Sequence, residues 1–169
     1  MPTGEARRAG RRAHSGFGYV WALLAVAVFG IGLGAVGEIW RTQAQREREA
    51  ELLRVGREYR AALYSYFASS KVGTPAFPTR LEELLEDRRG PVLRRHLRKI
   101  YADPLTASQD WGLLTSTDGR IRGVYSRSGD KPLKTGNFGP QEGAFEQAQT
   151  YADWRFEYVP PRVATPQRR

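Results

Sequence analysis

A run of 21 uncharged residues, from Phe17 to Gly37, constrains the fold of this chain more than any other feature of its sequence. An α-helix rises about 1.5 Å per residue, so this run would form a helix about 30 Å long, the thickness of the hydrocarbon core of a bilayer. Glu38 ends the run, and Trp40 follows where an interfacial aromatic side chain is expected. The sequence therefore predicts a transmembrane helix over residues 17–40.

The charges before this run predict how the helix is oriented. Residues 1–16 form a basic leader with one acidic residue, Glu5, and four arginines: Arg7, Arg8, Arg11 and Arg12. Segments rich in Lys and Arg stay on the cytoplasmic side of a membrane helix. We therefore expect a single-pass protein whose N-terminus is cytoplasmic and whose C-terminal part lies outside.

Two other interpretations of the apolar run remain open. Ala35-Val36-Gly37 fits the small-x-small pattern of a secretory signal cleavage site, although the run exceeds the usual apolar region of about 7–15 residues. A plain single-pass anchor fits equally well. Glycines at helical spacing favour a third property, close approach of another helix. The predicted helix-packing residues are Gly30, Gly32, Gly34 and Gly37.

The helical pattern continues beyond the apolar run. Residues 41–69 contain no proline and one glycine, Gly56, and they are rich in good helix formers. Apolar residues recur there at the spacing of one helix face. They are Leu52, Val55, Tyr59, Ala62, Leu63 and Tyr66. We therefore expect one helix over residues 17–69, whose amphipathic half packs against later strands.

The remaining sequence predicts a small α+β domain over residues 70–160 and a disordered tail over residues 161–169. Three segments have the alternation of β-strands, with a turn at Asp118-Gly119 between the first two. They are residues 111–114, 121–125 and 154–159. Short helices are expected around Leu84, at 144–148 and over 92–101, with Leu93, Leu97 and Ile100 facing inward. The expected fold class is α+β, a long N-terminal helix packed on a small three-stranded antiparallel sheet with short helices between.

Composition narrows the function. The chain has no cysteine, which excludes disulfides and thiolate chemistry. No hydrolase, zinc-protease or phosphate-loop motif occurs, and His96 stands among arginines, so we interpret it as a surface residue. Four of the 27 Lys and Arg residues and two of the 18 Asp and Glu residues precede Arg41, so the rest of the chain carries +7. We predict no catalytic residue, no cofactor and no metal.

A basic leader that ends at Gly16, then Phe17 and an apolar segment that continues into an amphipathic helix, resembles the type IV pilin and pseudopilin class. Later segments are similar to the major pseudopilin of type II secretion. These segments are Phe77-Pro78-Thr79 with Leu81 and Leu84, then Tyr101-x-Asp103-Pro104 with Trp111-Gly112, and then Ser126-x-Ser128-Gly129-Asp130.

The resemblance implies that a prepilin peptidase cleaves between Gly16 and Phe17 and methylates the new N-terminal Phe17. It implies a non-enzymatic subunit of the bacterial inner membrane with a periplasmic C-terminal domain. The implied partners are the membrane, homologous pseudopilin subunits, an assembly platform and its ATPase. The implied role is structural and mechanical, in protein export by a type II secretion or type IV pilus-like machine.

The chain departs from this class at two places. The class has Glu at the fifth mature position, where this chain has Trp21, which cannot pair with the amine of a neighbouring subunit. The major pseudopilin holds calcium in its late loop, whereas here Lys131 and Lys134 follow Asp130 and oppose a cation. The alternative functions are a DNA-binding pilin-like subunit of an uptake system, for which nucleic acid would be the partner, and a plain anchored periplasmic protein.

Overall fold

The computed structural model describes residues 15–70 and 76–161, without the side chains of residues 15–17 and 31–38. The predicted leader up to residue 14 and residues 162–169 of the predicted tail lie outside the described residues. The chain divides into two compact units, Met1–Gln43 and Ala44–Arg169. The second is called the C-terminal unit below.

The predicted long helix is confirmed. Helix α1 spans Ser15–Ala68, 54 residues, and ends within one residue of the predicted end. Good helix formers and the absence of proline explain why it continues through Trp40. Within the described residues, no helix combines the length and mean hydropathy that crossing a membrane requires. The predicted span over 17–40 includes residues 31–38, whose side chains lie outside the described residues.

The predicted three-stranded antiparallel sheet is also confirmed, in the C-terminal unit. Its strands are β1 (Gly112–Thr115), β2 (Ile121–Tyr125) and β3 (Phe156–Glu157), in the order β1-β2-β3. Gly119 has a φ of 77°, which the turn between β1 and β2 requires and glycine adopts without strain. Strand β3 is shorter than the predicted 154–159, because Trp154 closes the 3₁₀ helix Tyr151–Asp153 instead of entering the ladder.

The core of the C-terminal unit lies between α1 and the sheet. The predicted apolar face of α1 is buried there, and every one of its six residues is at most 2% exposed. The sheet contributes Val124 and Phe156, both fully buried. Gly56 lets the helix approach β3 closely, since a Cβ at this position would overlap the ring of Phe156. The amphipathic half of α1 therefore packs on the sheet, as its periodicity predicts.

The predicted helix over residues 92–101 is wrong. This segment has extended and bent backbone, and residues Asp87 and Arg94 form an isolated antiparallel bridge. The backbone N–H groups of His96 and Leu97 both donate to the carbonyl of Leu84, at 2.8 and 2.9 Å, so they cannot serve a local helix. Leu93, predicted to face inward, is 50% exposed, whereas Leu97 is buried.

The other short helices are 3₁₀ helices. One of them, Leu81–Leu84, lies where a short helix is predicted around Leu84, and Leu81 and Leu84 are both buried. Gly143–Gln147 stands where a helical turn was expected at 144–148, with Phe145 buried. These two helices and the 3₁₀ helix Tyr151–Asp153 each contribute buried residues to the hydrophobic core.

Candidate functional site

The predicted processing and packing residues all lie on α1. Gly16 and Phe17 stand in its first turn, immediately after Ser15. A Cβ at Gly30 would meet nothing within 4 Å, so the helix surface there is open. Gly32, Gly34 and Gly37 lie farther along α1, where side-chain surroundings are outside the described residues. Helical spacing puts Gly30, Gly34 and Gly37 on one face and Gly32 on another.

The described apolar side chains in the first half of α1 are exposed around the whole helix. Consecutive residues of a helix point in different directions, so Tyr19, Val20 and Trp21 sample every side, and they are 59% to 67% exposed. Exposure continues past the undescribed side chains, with Trp40 at 71%. Large exposed apolar surfaces on proteins commonly mark sites of contact with protein or membrane. The other members are Leu23, Leu24, Val26, Val28, Phe29 and Ile39.

A buried carboxylate of α1 fastens the long loop over residues 126–142. Glu49 is 4% exposed, and its Oε1 accepts hydrogen bonds from the backbone N–H groups of Leu133, at 2.6 Å, and Lys134, at 3.1 Å. The hydroxyl of Tyr151 donates to the same oxygen at 2.9 Å, and Gln45 Nε2 donates to that hydroxyl. Burial raises the pKa of Tyr151 to about 12. These hydrogen bonds therefore hold residues 133–134 of the loop to α1.

A second polar contact fastens the end of the same loop. Arg57 donates to both carboxylate oxygens of Glu142, at 2.6 and 2.7 Å, and Arg60 Nη1 lies 3.7 Å away. The hydrogen bond from Arg57 holds the pKa of the Glu142 carboxyl below its ordinary value, while burial alone would raise it. Burial lowers the pKa of Arg60, whose guanidinium stays charged because its ordinary value is so high.

The interpretation of His96 as a surface residue is wrong. Its side chain is 3% exposed, and its Nε2 lies 3.2 Å from Oδ2 of Asp87. Its Nδ1 lies 2.8 Å from the hydroxyl oxygen of Ser65 on α1. Since an ionised carboxylate only accepts hydrogen bonds, the ring N–H at Nε2 is the donor in the contact with Asp87. Arg89 holds the pKa of the Asp87 carboxyl well below its usual range.

Ser65, His96 and Asp87 stand in the order of a catalytic triad: hydroxyl, imidazole and carboxylate. Two observations nevertheless favour a structural role for this cluster. Arg89 already neutralises Asp87 through its Nε and Nη2, at 2.9 and 2.7 Å. Ser65 lies inside α1, where backbone N–H groups donate within the helix and not to a substrate oxygen. The cluster therefore ties the segment around His96 to the helix. Sequence reasoning missed it because its members are far apart along the chain.

Three acidic side chains of the C-terminal unit accept hydrogen bonds from other groups of the protein. Asp103 accepts the Ser126 hydroxyl at 2.6 Å inside the core, and Asp153 accepts the backbone N–H of Thr150 at 2.9 Å. Asp130 accepts from the hydroxyl of Ser128 at 3.1 Å. Among the described residues, no group of three or more His, Asp or Glu side chains is placed to hold a metal ion.

No protein-family model, no curated protein and no solved structure matches the chain. The feature of the described residues that bears most on function is therefore the exposed apolar half of α1.

Proposed function

We propose that the chain is a pseudopilin-like inner-membrane subunit of a type II secretion or type IV pilus-like assembly, with a structural and mechanical role in protein export. The observation that carries this proposal is the exposed apolar surface around the first half of α1. The same helix continues without a break into a half that is packed on a three-stranded sheet.

The exposed apolar half needs an apolar environment. Burial of apolar surface is worth about 25 cal/mol per Å², so side chains such as Phe29, 74% exposed, and Val26, 70% exposed, gain stability in a bilayer or against other helices. A surface helix of a water-soluble domain would instead have a polar face. We therefore assign residues 17–40 to the membrane before assembly and to helix–helix contacts after it.

The mechanism that we propose is mechanical. A membrane platform and an ATPase, both other proteins, extract the subunit and pack the apolar half of α1 against related helices. Gly30 and Gly34 allow close approach there. Force on α1 reaches the C-terminal unit through the buried apolar face of the helix and through the contacts of Glu49 and Arg57 with the long loop.

Trp21 distinguishes this subunit from others of the class. An indole N–H is a donor and bears no charge, so it cannot pair with a protonated amine as a carboxylate does. Trp21 is 59% exposed on α1. We propose that this subunit joins its neighbours through apolar contacts at that position.

Mass spectrometry of the N-terminus tests the proposal. The full chain is expressed with a prepilin peptidase, extracted from membranes and measured intact. We expect the mature protein to begin at a methylated Phe17. Gly16→Val should block the cleavage because the bulkier side chain stands next to the scissile bond. Gly18→Val is the matched control, since a Cβ there meets nothing within 4 Å.

Two results would contradict the proposal. A mature protein that begins at Glu38 would identify residues 1–37 as a secretory signal. An intact N-terminus in the presence of active peptidase, in chains recovered from the membrane, would indicate a plain anchor.

A further inference from the structure

The segment from Arg88 to Ala102 contains six cations and no carboxylate. Arg88 and Arg89 are paired with Glu86 and Asp87, both at 2.7 Å. Three other side chains, those of Arg94, Arg95 and Arg98, are exposed and make no ion pair with any residue in the described part of the chain. Six arginines elsewhere in the C-terminal unit do pair with carboxylates. They are Arg54, Arg57, Arg60, Arg120, Arg122 and Arg127.

Hydrogen bonds and buried side chains fix the backbone that carries these cations. Arg94 exchanges two backbone hydrogen bonds with Asp87, at 2.8 and 3.1 Å. The next two inward side chains, His96 and Leu97, are buried, the first between Asp87 and α1 and the second in the core. Arg94 and Arg95 precede these anchors, and Arg98 and Lys99 follow them. The backbone that carries the cations is therefore held in place before any partner binds, which lowers the entropy cost of binding.

Exposed aliphatic side chains adjoin the cations. Val92 is 67% exposed and Leu93 is 50% exposed, directly before Arg94. The 92–99 surface is defined here as the side chains of Val92, Leu93, Arg94, Arg95, Arg98 and Lys99.

A cleft of about 650 Å³ borders the 92–99 surface and is lined by Val92, Arg94 and Arg120 among others. Two smaller clefts also flank this surface. One has a volume of about 440 Å³ and is lined by Tyr64, Ser69, Arg94 and Arg95 among others. The other has a volume of about 510 Å³ and includes Arg98. The carboxylate of Glu58, which lines this second cleft, is already paired with Arg54.

We propose that the 92–99 surface docks an acidic, partly apolar segment of a different protein. Carboxylates complement the unpaired arginines, and leucine-like side chains complement Val92 and Leu93. A second copy of this chain is disfavoured because the chain from Arg41 onward carries +7. A nucleic acid offers phosphates but has no aliphatic side chains to complement the exposed Val92 and Leu93. The clefts suit an extended peptide better than the flat surface of a bilayer.

Fluorescence anisotropy with the full chain in detergent tests this inference. The probe is a short labelled peptide that alternates Glu pairs with Leu. Arg94→Gln/Arg95→Gln should raise the dissociation constant about tenfold, which is the effect of losing two exposed charge pairs. Val92→Ser/Leu93→Ser should raise the dissociation constant about fivefold, because less apolar surface is buried on binding. Arg122→Gln/Arg127→Gln removes the same charge elsewhere and should change binding less than about twofold.

Each contrary outcome overturns the inference in a distinct way. If Arg122→Gln/Arg127→Gln raises the dissociation constant as much as Arg94→Gln/Arg95→Gln does, peptide binding depends only on the net charge of the chain. A thymidine oligonucleotide or anionic vesicles that bind more tightly than the peptide, without dependence on Val92 and Leu93, would assign the surface to those ligands. An absence of peptide binding at low salt would also refute it. Near-UV circular dichroism verifies that each variant is folded, and cleavage at Gly16 is independent of all these results.

Discussion

One added methyl group, in Gly56→Ala, tests the packing of α1 on the sheet. An ideal Cβ on Gly56 would lie within 3.0 Å of three ring carbons of Phe156 on β3. The ring cannot withdraw easily, because Phe156 is fully buried and contacts Phe145, with 5.3 Å between ring centroids. The substitution therefore forces a shift of the helix, the strand or the ring.

Two opposing effects set the magnitude. Alanine is favoured over glycine in a helix interior by about 1 kcal/mol. Overpacking of a tight core costs about 1–3 kcal/mol, and a fully buried aromatic ring argues for the upper part of that range. The net loss should be about 1–2 kcal/mol in the free energy of unfolding. For a domain of this size, that loss lowers Tm by about 4–8 °C.

Near-UV circular dichroism during heating of the full chain measures the loss, because Trp111 and Trp154 are buried in the C-terminal unit. Gly18→Ala is the control, since it adds the same methyl group where nothing lies within 4 Å, and it should leave this transition unchanged. Gly56→Ala combined with Phe156→Leu should cost less than the sum of the two single changes. A Tm that rises in Gly56→Ala, as at an open helix surface, would refute the described contact between α1 and β3.

Three further predictions concern the polar contacts of the C-terminal unit. Glu49→Ala should remove the acceptor of two backbone N–H groups and the Tyr151 hydroxyl, so hydrogen exchange should accelerate at residues 133–134; unchanged exchange would contradict this. His96→Ala should lower the free energy of unfolding in urea by about 1–3 kcal/mol, because Asp87 and Ser65 lose a buried partner, whereas a true surface histidine would cost almost nothing. Arg57 lowers the pKa of Glu142 in the folded chain, so this pair stabilises the fold above the unfolded pKa and its contribution is lost as the pH falls through the folded pKa. The difference in Tm between parent and Glu142→Gln should therefore shrink on acidification below about pH 4, and a constant difference would disprove the linkage.

The sequence predicts those features of the fold that leave a local periodic signal. The apolar spacing from Leu52 to Tyr66 identifies the buried face of α1, because a helix repeats every 3.6 residues. The alternation over residues 121–125 gives the bounds of β2, which the structure confirms. The alternation of Trp154, Phe156 and Tyr158 is more ambiguous. Trp154 and Phe156 are buried and Tyr158 is partly buried, but the ladder itself covers only Phe156–Glu157.

The polar clusters could not be predicted, because they depend on contacts that leave no periodic signal. Glu49 reaches the backbone of Leu133, 84 residues away, and His96 reaches Ser65, 31 residues away. The spacing of Leu93 and Leu97 matches a helix, but the carbonyl of Leu84 binds the backbone there and holds it extended. Tertiary hydrogen bonds therefore override local propensity in this segment.

Under the proposed function, the exposed apolar half of α1 packs against the same half of related subunits. Cysteine cross-linking in membranes tests it most directly, because the chain has no native cysteine. Gly30→Cys should form disulfide-linked dimers when the assembly platform and ATPase are present, and fewer without the ATPase. Thr117→Cys, exposed in the turn of the C-terminal unit, is the control for random collision. Cross-linking of Gly30→Cys no higher than that of Thr117→Cys, with active ATPase, would contradict this packing of α1.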